Sequence, residues 1–435
     1  MPPVVGNDQA NEILEPSTPA GIRIASPELR KSRSPLAPFK IKAYRQLWGA
    51  SLMWNQARWI DQVVIGWSVL EMTNSAWDVA VVGVLRWMPV AIFGIFGGAI
   101  ADKYDRRKLL IVSQIGGAIV SLLCGLLLAF DLFNYPLAVA AALIFGLQWA
   151  IDWPSRRAII PDLVGRELTL SAMVLENVSM NVTRIIGPLM AGGLIHFWGS
   201  ASAFFAMAAF YSLEIILLAG MPKGLGTRLA PTGPVLRYLR NGFAELGRSQ
   251  PIVGTLVITV LMNVFAFPYI QLLPVFARDV LHTDAIGLGA LGAAAGVGSL
   301  FGSLLLAAQP DVRYPGRVFS AGSIIMCIAL VGFALSSNLA FALALVAIGG
   351  FGSAGFSSFQ STIILRASED HLRGRAMGAL TLAIGLSPFG MFEIGLLTTA
   401  IGPQWAVATN CALCAVLVFI TAARLPRFRE DARVA

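Results

Sequence analysis

Residues 97–108 read Gly-Gly-Ala-Ile-Ala-Asp-Lys-Tyr-Asp-Arg-Arg-Lys, a charged loop between two long apolar runs, 78–100 and 109–130. Asp102, Lys103, Asp105, Arg106, Arg107 and Lys108 crowd a place where a soluble protein needs only a turn. A short, strongly basic loop between two apolar spans marks the cytoplasmic side of a membrane protein. The rest of the chain is therefore read as spans whose loops alternate sides.

Composition agrees. Of 435 residues 56% are apolar and 13% are charged, and the mean hydropathy is +0.72. A soluble core this apolar needs far more charge to cover its surface. At roughly 20 residues per span plus short loops, about a dozen helices fit. The four cysteines (Cys124, Cys327, Cys411, Cys414) lie in apolar runs and read as small core residues, including the Cys411-Ala412-Leu413-Cys414 spacing. His196, His282 and His371 are isolated, and no HExxH, Gly-x-Ser-x-Gly or phosphate loop occurs. No metal, cofactor or enzymatic chemistry is expected.

Twelve apolar segments fall at about 47–71, 78–100, 109–130, 136–158, 168–195, 201–221, 251–277, 285–308, 317–336, 339–365, 376–400 and 404–424. The expected architecture is an all-α membrane protein with twelve transmembrane helices in two pseudo-symmetric six-helix bundles. Residues 1–40, with seven prolines, form a disordered cytoplasmic tail. The bundles occupy 41–221 and 251–425, joined by a basic cytoplasmic linker at 222–250 and followed by a cytoplasmic tail at 426–435. Of 32 Lys and Arg, three lie within spans (Arg58, Arg86, Arg184) and one in an outer loop (Arg278), which leaves 28 on the side shared by both termini. That side is the cytoplasm. The net charge of +8 then faces anionic lipid and implies no nucleic-acid partner.

The halves echo each other. Ile159-Ile160, Leu168 and Met173 align with Ile363-Ile364, Leu372 and Met377 at an offset of 204, each pair of segments crossing a charged turn (162–167 and 369–375). Gln309-Pro310-Asp311-Val312-Arg313-Tyr314-Pro315-Gly316-Arg317 reads as a decayed copy of the 97–108 loop. Two six-helix repeats with a site between them is a transporter plan. Glycines spaced Gly292-xxx-Gly296 and Gly298-xxx-Gly302 allow close helix approach, and Pro268 and Pro388 allow kinks.

An ionisable group at the bilayer centre costs about 2.5–3.5 kcal/mol on insertion scales, so each one needs a reason. The N-terminal half holds Arg58, Asp61, Arg86, Asp152, Glu176, Arg184 and Glu214; the C-terminal half holds Glu393. Asn55, Arg58, Asp61 and Gln62 share roughly a 120° arc of the first helix, which must face a bundle contact or a wet cavity. Asp61, with Glu393, is the candidate proton carrier; a permanent ion pair with Arg58 or Arg86 is the competing reading. Asn177, Asn181, Arg184 and Pro188 form a stripe about 60° wide that offers donors and acceptors to an anionic or hydroxyl-rich solute. With Asn263 in the second half, these residues and Arg86 are the candidate cavity. Gln148, Asp152 and Arg156 recur every fourth residue, a spacing at which Asp152 and Arg156 pair, as a gate latch or as a helix anchor.

The spacing Gly98-x3-Asp102-Lys103-x2-Arg106-Arg107 resembles the loop signature of the major facilitator superfamily of transporters, over residues 40–425. Three stretches resemble more narrowly its drug:proton antiporter branch, which contains enterobactin and macrolide exporters. They are Trp59-Ile60 with 70–75 (Leu-Glu-Met-Thr-Asn-Ser), Arg86-Trp87-Met88-Pro89 leading into the loop, and Pro161–Val164 followed by 181–188 with its Gly187-Pro188 pair. The resemblance implies that Gly98, Asp102, Lys103, Arg106 and Arg107, together with Asp152 and Arg156, lock the inner face. Asp105 stands where the family carries glycine. The resemblance also implies a monomeric inner-membrane exporter of an amphipathic small molecule driven by inward proton flow. A lysophospholipid or other carrier of the same fold without proton coupling is the alternative, and a non-transporting scaffold or receptor is disfavoured by the charges within spans.

Overall fold

The computed structural model describes residues 34, 36–103, 105–223, 247, 249–309, 312–369 and 372–430; for 93–103, 166 and 429 it gives the backbone alone. Most of the expected N-terminal tail, the linker from 224 to 246 and residues 431–435 lie outside the described residues. So do the side chains of Asp102 and Lys103.

Among the described residues every element is helical. Helix α1 (Lys42–Thr73) stops at Asn74, whose left-handed φ of 49° lets its N–H donate to the Leu70 carbonyl. Ser75 Oγ then accepts from the Asp78 amide and opens α2 (Ala76–Lys103). Helix α3 (Arg106–Ala129) starts at Asp105, whose carboxylate accepts from the amides of Arg107 and Lys108. The aspartate that departs from the family loop is thus a helix N-cap. Helices α4 (Tyr135–Val164) and α5 (Arg166–Trp198) meet at the single residue Gly165, with φ 78°. The expected charged turn over 162–167 is corrected here: Asp162 belongs to α4. Charge ends an apolar run, but a helix leaving the bilayer keeps its hydrogen bonds until a turn residue stops it. After α6 (Ser200–Ala219), α7 (Gln250–Val280) carries two wide π turns, Met262–Ala266 and Phe276–Val280. The first lies just before Pro268, which has no N–H to give.

Helix α8 (Ala285–Ala307) is capped by Asp284. It is followed by α9 (Pro315–Ala334), α10 (Leu339–Ala367), α11 (373–401) and α12 (403–424). Helix α11 breaks at 385–386 and restarts with Pro388 in its new first turn, so this proline starts a helix instead of kinking one. Between α11 and α12, Gly402 holds φ 82° and ψ 160°, a conformation that side chains rarely adopt. The chain outside the helices is docked at two places read as tail. Ala37 and Pro38 of a 3₁₀ turn at Ala37–Lys40 are buried, and Phe428 of a second at Pro426–Arg429 packs beside Gly254 and Gly316.

Nine helical segments among the described residues are long and apolar enough to cross a membrane, and the last, Arg373–Arg424, comprises α11 and α12 together. Helix α1 is 32 residues, about 48 Å at 1.5 Å per residue. Large apolar side chains cover the outside of the molecule, as on α3, where Val112, Ile119 and Leu123 are more than half exposed. Such a surface belongs against acyl chains. The helices before the linker pack mainly on one another (α1 on α5 and α6, α2 on α4, α3 on α6), as do those after it (α8 and α9 on α10, α9 on α12). The two groups meet along α5–α8 and α2–α11.

Candidate functional site

The buried charges gather in the first group of helices. Asp61 on α1 is 2% exposed, and its Oδ2 lies 2.5 Å from Arg86 Nη2 on α2. The same nitrogen donates weakly to the Arg58 carbonyl at 3.4 Å. The Arg58 guanidinium lies 4.0 Å over the Trp149 ring and 5.1 Å from that of Trp59. Among the described residues it has no ion-pair partner, and its Nε lacks a hydrogen bond. Arg58, Asp61 and Arg86 line a small cavity within this group with Gln148, Trp149 and Tyr211. Asp61 pairs with Arg86 and not with Arg58.

A second cavity opens between the two groups. Trp59 and Gln62 of α1 and Arg184 and Pro188 of α5 face Tyr269 of α7 and Leu288 of α8 across it. Arg184 donates at 3.4 Å to Ser299 Oγ and lies 5.8 Å from the Trp59 ring. Trp59 is therefore shared between Arg58 and Arg184. A third cavity, toward the basic end of α4, holds Asn55, Arg156, Arg157, Glu176 and Asn177. The polar arc of the first helix is thus divided: Asn55 serves one cavity, Arg58 and Asp61 a second, and Gln62 a third. The α5 stripe is divided likewise, with Asn177 in one cavity and Arg184 in another, while Asn181 is partly buried and lines neither.

The expected Asp152–Arg156 latch is corrected. Arg156 forms its ion pair with Glu214 on α6, and Asp152 accepts from Gln114 Nε2 of α3 at 2.5 Å. Gln148 in turn donates to Gln114 Oε1 at 2.7 Å. Residues at i and i+4 meet only when neither has a better partner on a facing helix, and here α3 and α6 supply both. Of the loop residues, Arg106 reaches the Ala158 carbonyl and Asp162 on α4, and Arg107 donates to the Leu218 and Ala219 carbonyls that end α6. These contacts tie the loop to its own group of helices, and a guanidinium on helix C-terminal carbonyls is favourable.

In the second group, Glu393 accepts from Asn410 Nδ2 at 2.6 Å, and Asn263 joins Thr259 to Ser387. Neither contact reaches the cavity between the groups. The four cysteines are buried and free, with Cys327 and Cys414 beside Met262. Tyr211, Tyr269, Gln114 and Ser299 join the site without any sequence signal, since each matters only through a facing helix.

Polar contacts between the groups cluster at the end opposite the basic loops. Arg278 Nη1 donates to the Leu70 carbonyl and to Asn74 Oδ1, both at 2.9 Å, His196 Nδ1 lies 2.6 Å from Asp284 Oδ2, and Gln271 donates to the Val79 carbonyl at 3.0 Å. The molecule is closed there.

A family of transmembrane secretion effectors matches residues 33–435. The staphyloferrin A transporter of Staphylococcus aureus is 24% identical over 392 residues, covering 86% of this chain and 95% of the relative. The multidrug efflux pump Tap of Mycolicibacterium fortuitum is 27% identical, covering 88% of this chain and 95% of the pump. The enterobactin exporter EntS of Shigella boydii is 25% identical, covering 85% and 89%. Among solved structures, a bacterial homologue of the human lysosomal transporter Spinster superposes with a TM-score of 0.70 at 15% identity, covering 90% of this chain and 99% of that one. A POT family transporter with a bound thioalcohol-conjugated peptide gives 0.70 at 10% identity, covering 89% and 96%. At these identities the two structures speak for the fold alone.

Proposed function

The chain belongs to the transmembrane secretion effector family of the major facilitator superfamily, and from that premise we propose that it exports an amphipathic small molecule by proton antiport with alternating access. In this reading twelve spans form two six-helix bundles in the inner membrane, the protein acts as a monomer, and the basic loops and both termini face the cytoplasm. The curated relatives handle siderophores and drugs, and the solute is taken from that range.

The observation that carries the reading is the Asp61–Arg86 pair, a carboxylate and a guanidinium at 2.5 Å in mid-helix, lining a small cavity within the first group of helices. A charge pair at this depth is costly and marks a functional position. Protonation of Asp61 dissolves a tie between α1 and α2; deprotonation restores it. Antiport follows if the carrier crosses with solute or with proton, and not with both or neither. Glu393, held by Asn410, serves at most as a second proton site. The solute occupies the cleft of Gln62 and Arg184, with Arg58, Arg86, Asn55, Asn177, Asn181 and Asn263 along its route. Gly98, Asp102, Lys103, Arg106 and Arg107 form the inner gate, backed by Asp152 and Arg156.

Flux in proteoliposomes under an imposed pH gradient, screened against siderophores, macrolides and lysolipids, tests the proposal. Asp61→Asn is expected to abolish gradient-driven flux, and unchanged flux eliminates its role. The alternative, a carrier of the same fold without proton coupling, is favoured by one feature: Asp61 already has a partner and so serves as a structural ion pair. Wild-type flux that ignores a collapsed gradient selects it.

A further inference from the structure

We propose that the cavity between the two helix groups selects an amphipathic anion, a carboxylate or a similar acceptor-rich head on an aromatic or aliphatic body. The inference rests on the transport reading above and adds the charge of the solute.

Positive charge and hydrogen-bond donors are in excess around this cavity. The only charged side chain lining this cavity among the described residues is Arg184, and no carboxylate lines it. The neighbouring cavity adds Arg58 and Arg86 against Asp61. Asp61 is committed to Arg86 at 2.5 Å. Arg58 and Arg184 are left without an ionic partner among the described residues, both touching Trp59. The other acids within the spans of this half, Asp152, Glu176 and Glu214, sit toward the basic end. Glu214 is bound to Arg156, Asp152 to Gln114, and Glu176 lines a cavity with Arg156 and Arg157.

The hydrogen-bond balance has the same sign. Among the buried groups without a partner here, the donors Trp59 Nε1, Trp149 Nε1 and Arg58 Nε outnumber the one acceptor, Asp61 Oδ1. Arg184 holds only a long, 3.4 Å contact to Ser299. Two guanidinium groups and an indole N–H at one place are a surplus of donors, and a surplus of donors calls for an acceptor. Guanidinium groups bind carboxylates through paired, charge-assisted hydrogen bonds. The facing wall, with Tyr269, Leu273 and Leu288, is apolar or aromatic and suits the body of the solute. A cationic solute, by contrast, meets Arg184 with no carboxylate in the cavity to offset it, and like charges repel strongly away from water.

The test uses three probes of one shape: 2-naphthoate, 2-naphthylmethanol and 2-naphthylmethylammonium, titrated by calorimetry into the full-length protein in nanodiscs, with empty nanodiscs subtracted. Naphthoate is expected to bind at least tenfold more tightly than either analogue. Arg184→Gln should erase that preference, a loss of about ten- to hundredfold for naphthoate, and Arg184→Lys should keep part of it. An unchanged thermal midpoint separates lost binding from lost folding. Equal affinities, a preference for the ammonium, or no binding of naphthoate overturns the proposal, as does an Arg184→Gln protein that folds and keeps the preference. Failure of proton-driven flux in the wild-type protein would instead sink the exporter reading, because charge preference is read from binding alone.

Discussion

At the scale of single residues, the Asp61–Arg86 pair bears the most weight. Removing one partner of a buried pair strands the other and costs about 3–5 kcal/mol. Arg86→Ala is therefore expected to lower the thermal midpoint of the purified protein markedly, and Arg86→Ala with Asp61→Asn to recover part of the loss. A double variant no more stable than Arg86→Ala would show that the two side chains do not act as a pair. The same residues mark the limit of sequence reading. That Asp61 needed a partner was legible, because a carboxylate among apolar residues must be compensated. Which arginine supplies it was not: Arg58 is three residues away on the same helix, whereas Arg86 comes from α2. Arg156 repeats the lesson, since its partner Glu214 lies 58 positions away. Helical spacing lists which side chains share a face, and tertiary packing chooses among them.

At the scale of elements, the helices themselves were legible, because twenty apolar residues in a bilayer have one way to satisfy their backbone. Their ends were less so. Caps such as Asp105 and turn residues such as Gly165 decide where helices stop, and hydropathy is blind to both. One cap has a second duty. Asp284 Oδ1 accepts from the amides of Ile286 and Gly287 at the start of α8, while its Oδ2 meets His196 on α5. Asn caps helices about as well as Asp, so Asp284→Asn removes the carboxylate that meets His196 and spares the helix. The expected result is faster amide hydrogen exchange at the facing ends of α5 and α8 with little change in the thermal midpoint. Unchanged exchange would show that the pair does not hold this end shut. A further test concerns Gly289, where a β-carbon would press against the Pro188 carbonyl of α5. Gly289→Leu should separate α5 from α8 and cut flux at least tenfold, and wild-type flux would show that the close approach is dispensable.

At the scale of the whole molecule, the charge of the solute sets the driving force. Outward movement of a monovalent anion against one inward proton transfers two positive charges inward per cycle. An imposed potential, negative inside, should then speed naphthoate efflux even without a pH difference, by roughly the energy of two charges crossing, about 2.3 kcal/mol each per 100 mV. Efflux indifferent to that potential would rule out net charge movement. An anion beside Asp61 also strengthens the hold on a proton, so strict exchange must be enforced by which loaded states cross the membrane, not by rivalry at the site.

The seam between α5 and α8 carries one more implication. Near Gly192, Gly289, Gly292 and Gly296 the helices touch largely through bare main chain and the Pro188 ring. Surfaces without protruding side chains have no teeth to disengage, so in the proposed alternating-access cycle this seam is where one helix would roll over the other. Where the motion comes to rest is then decided at the rims, by a few polar clasps such as Arg278 on Asn74, and a change of ionic strength on that side would be felt throughout the machine.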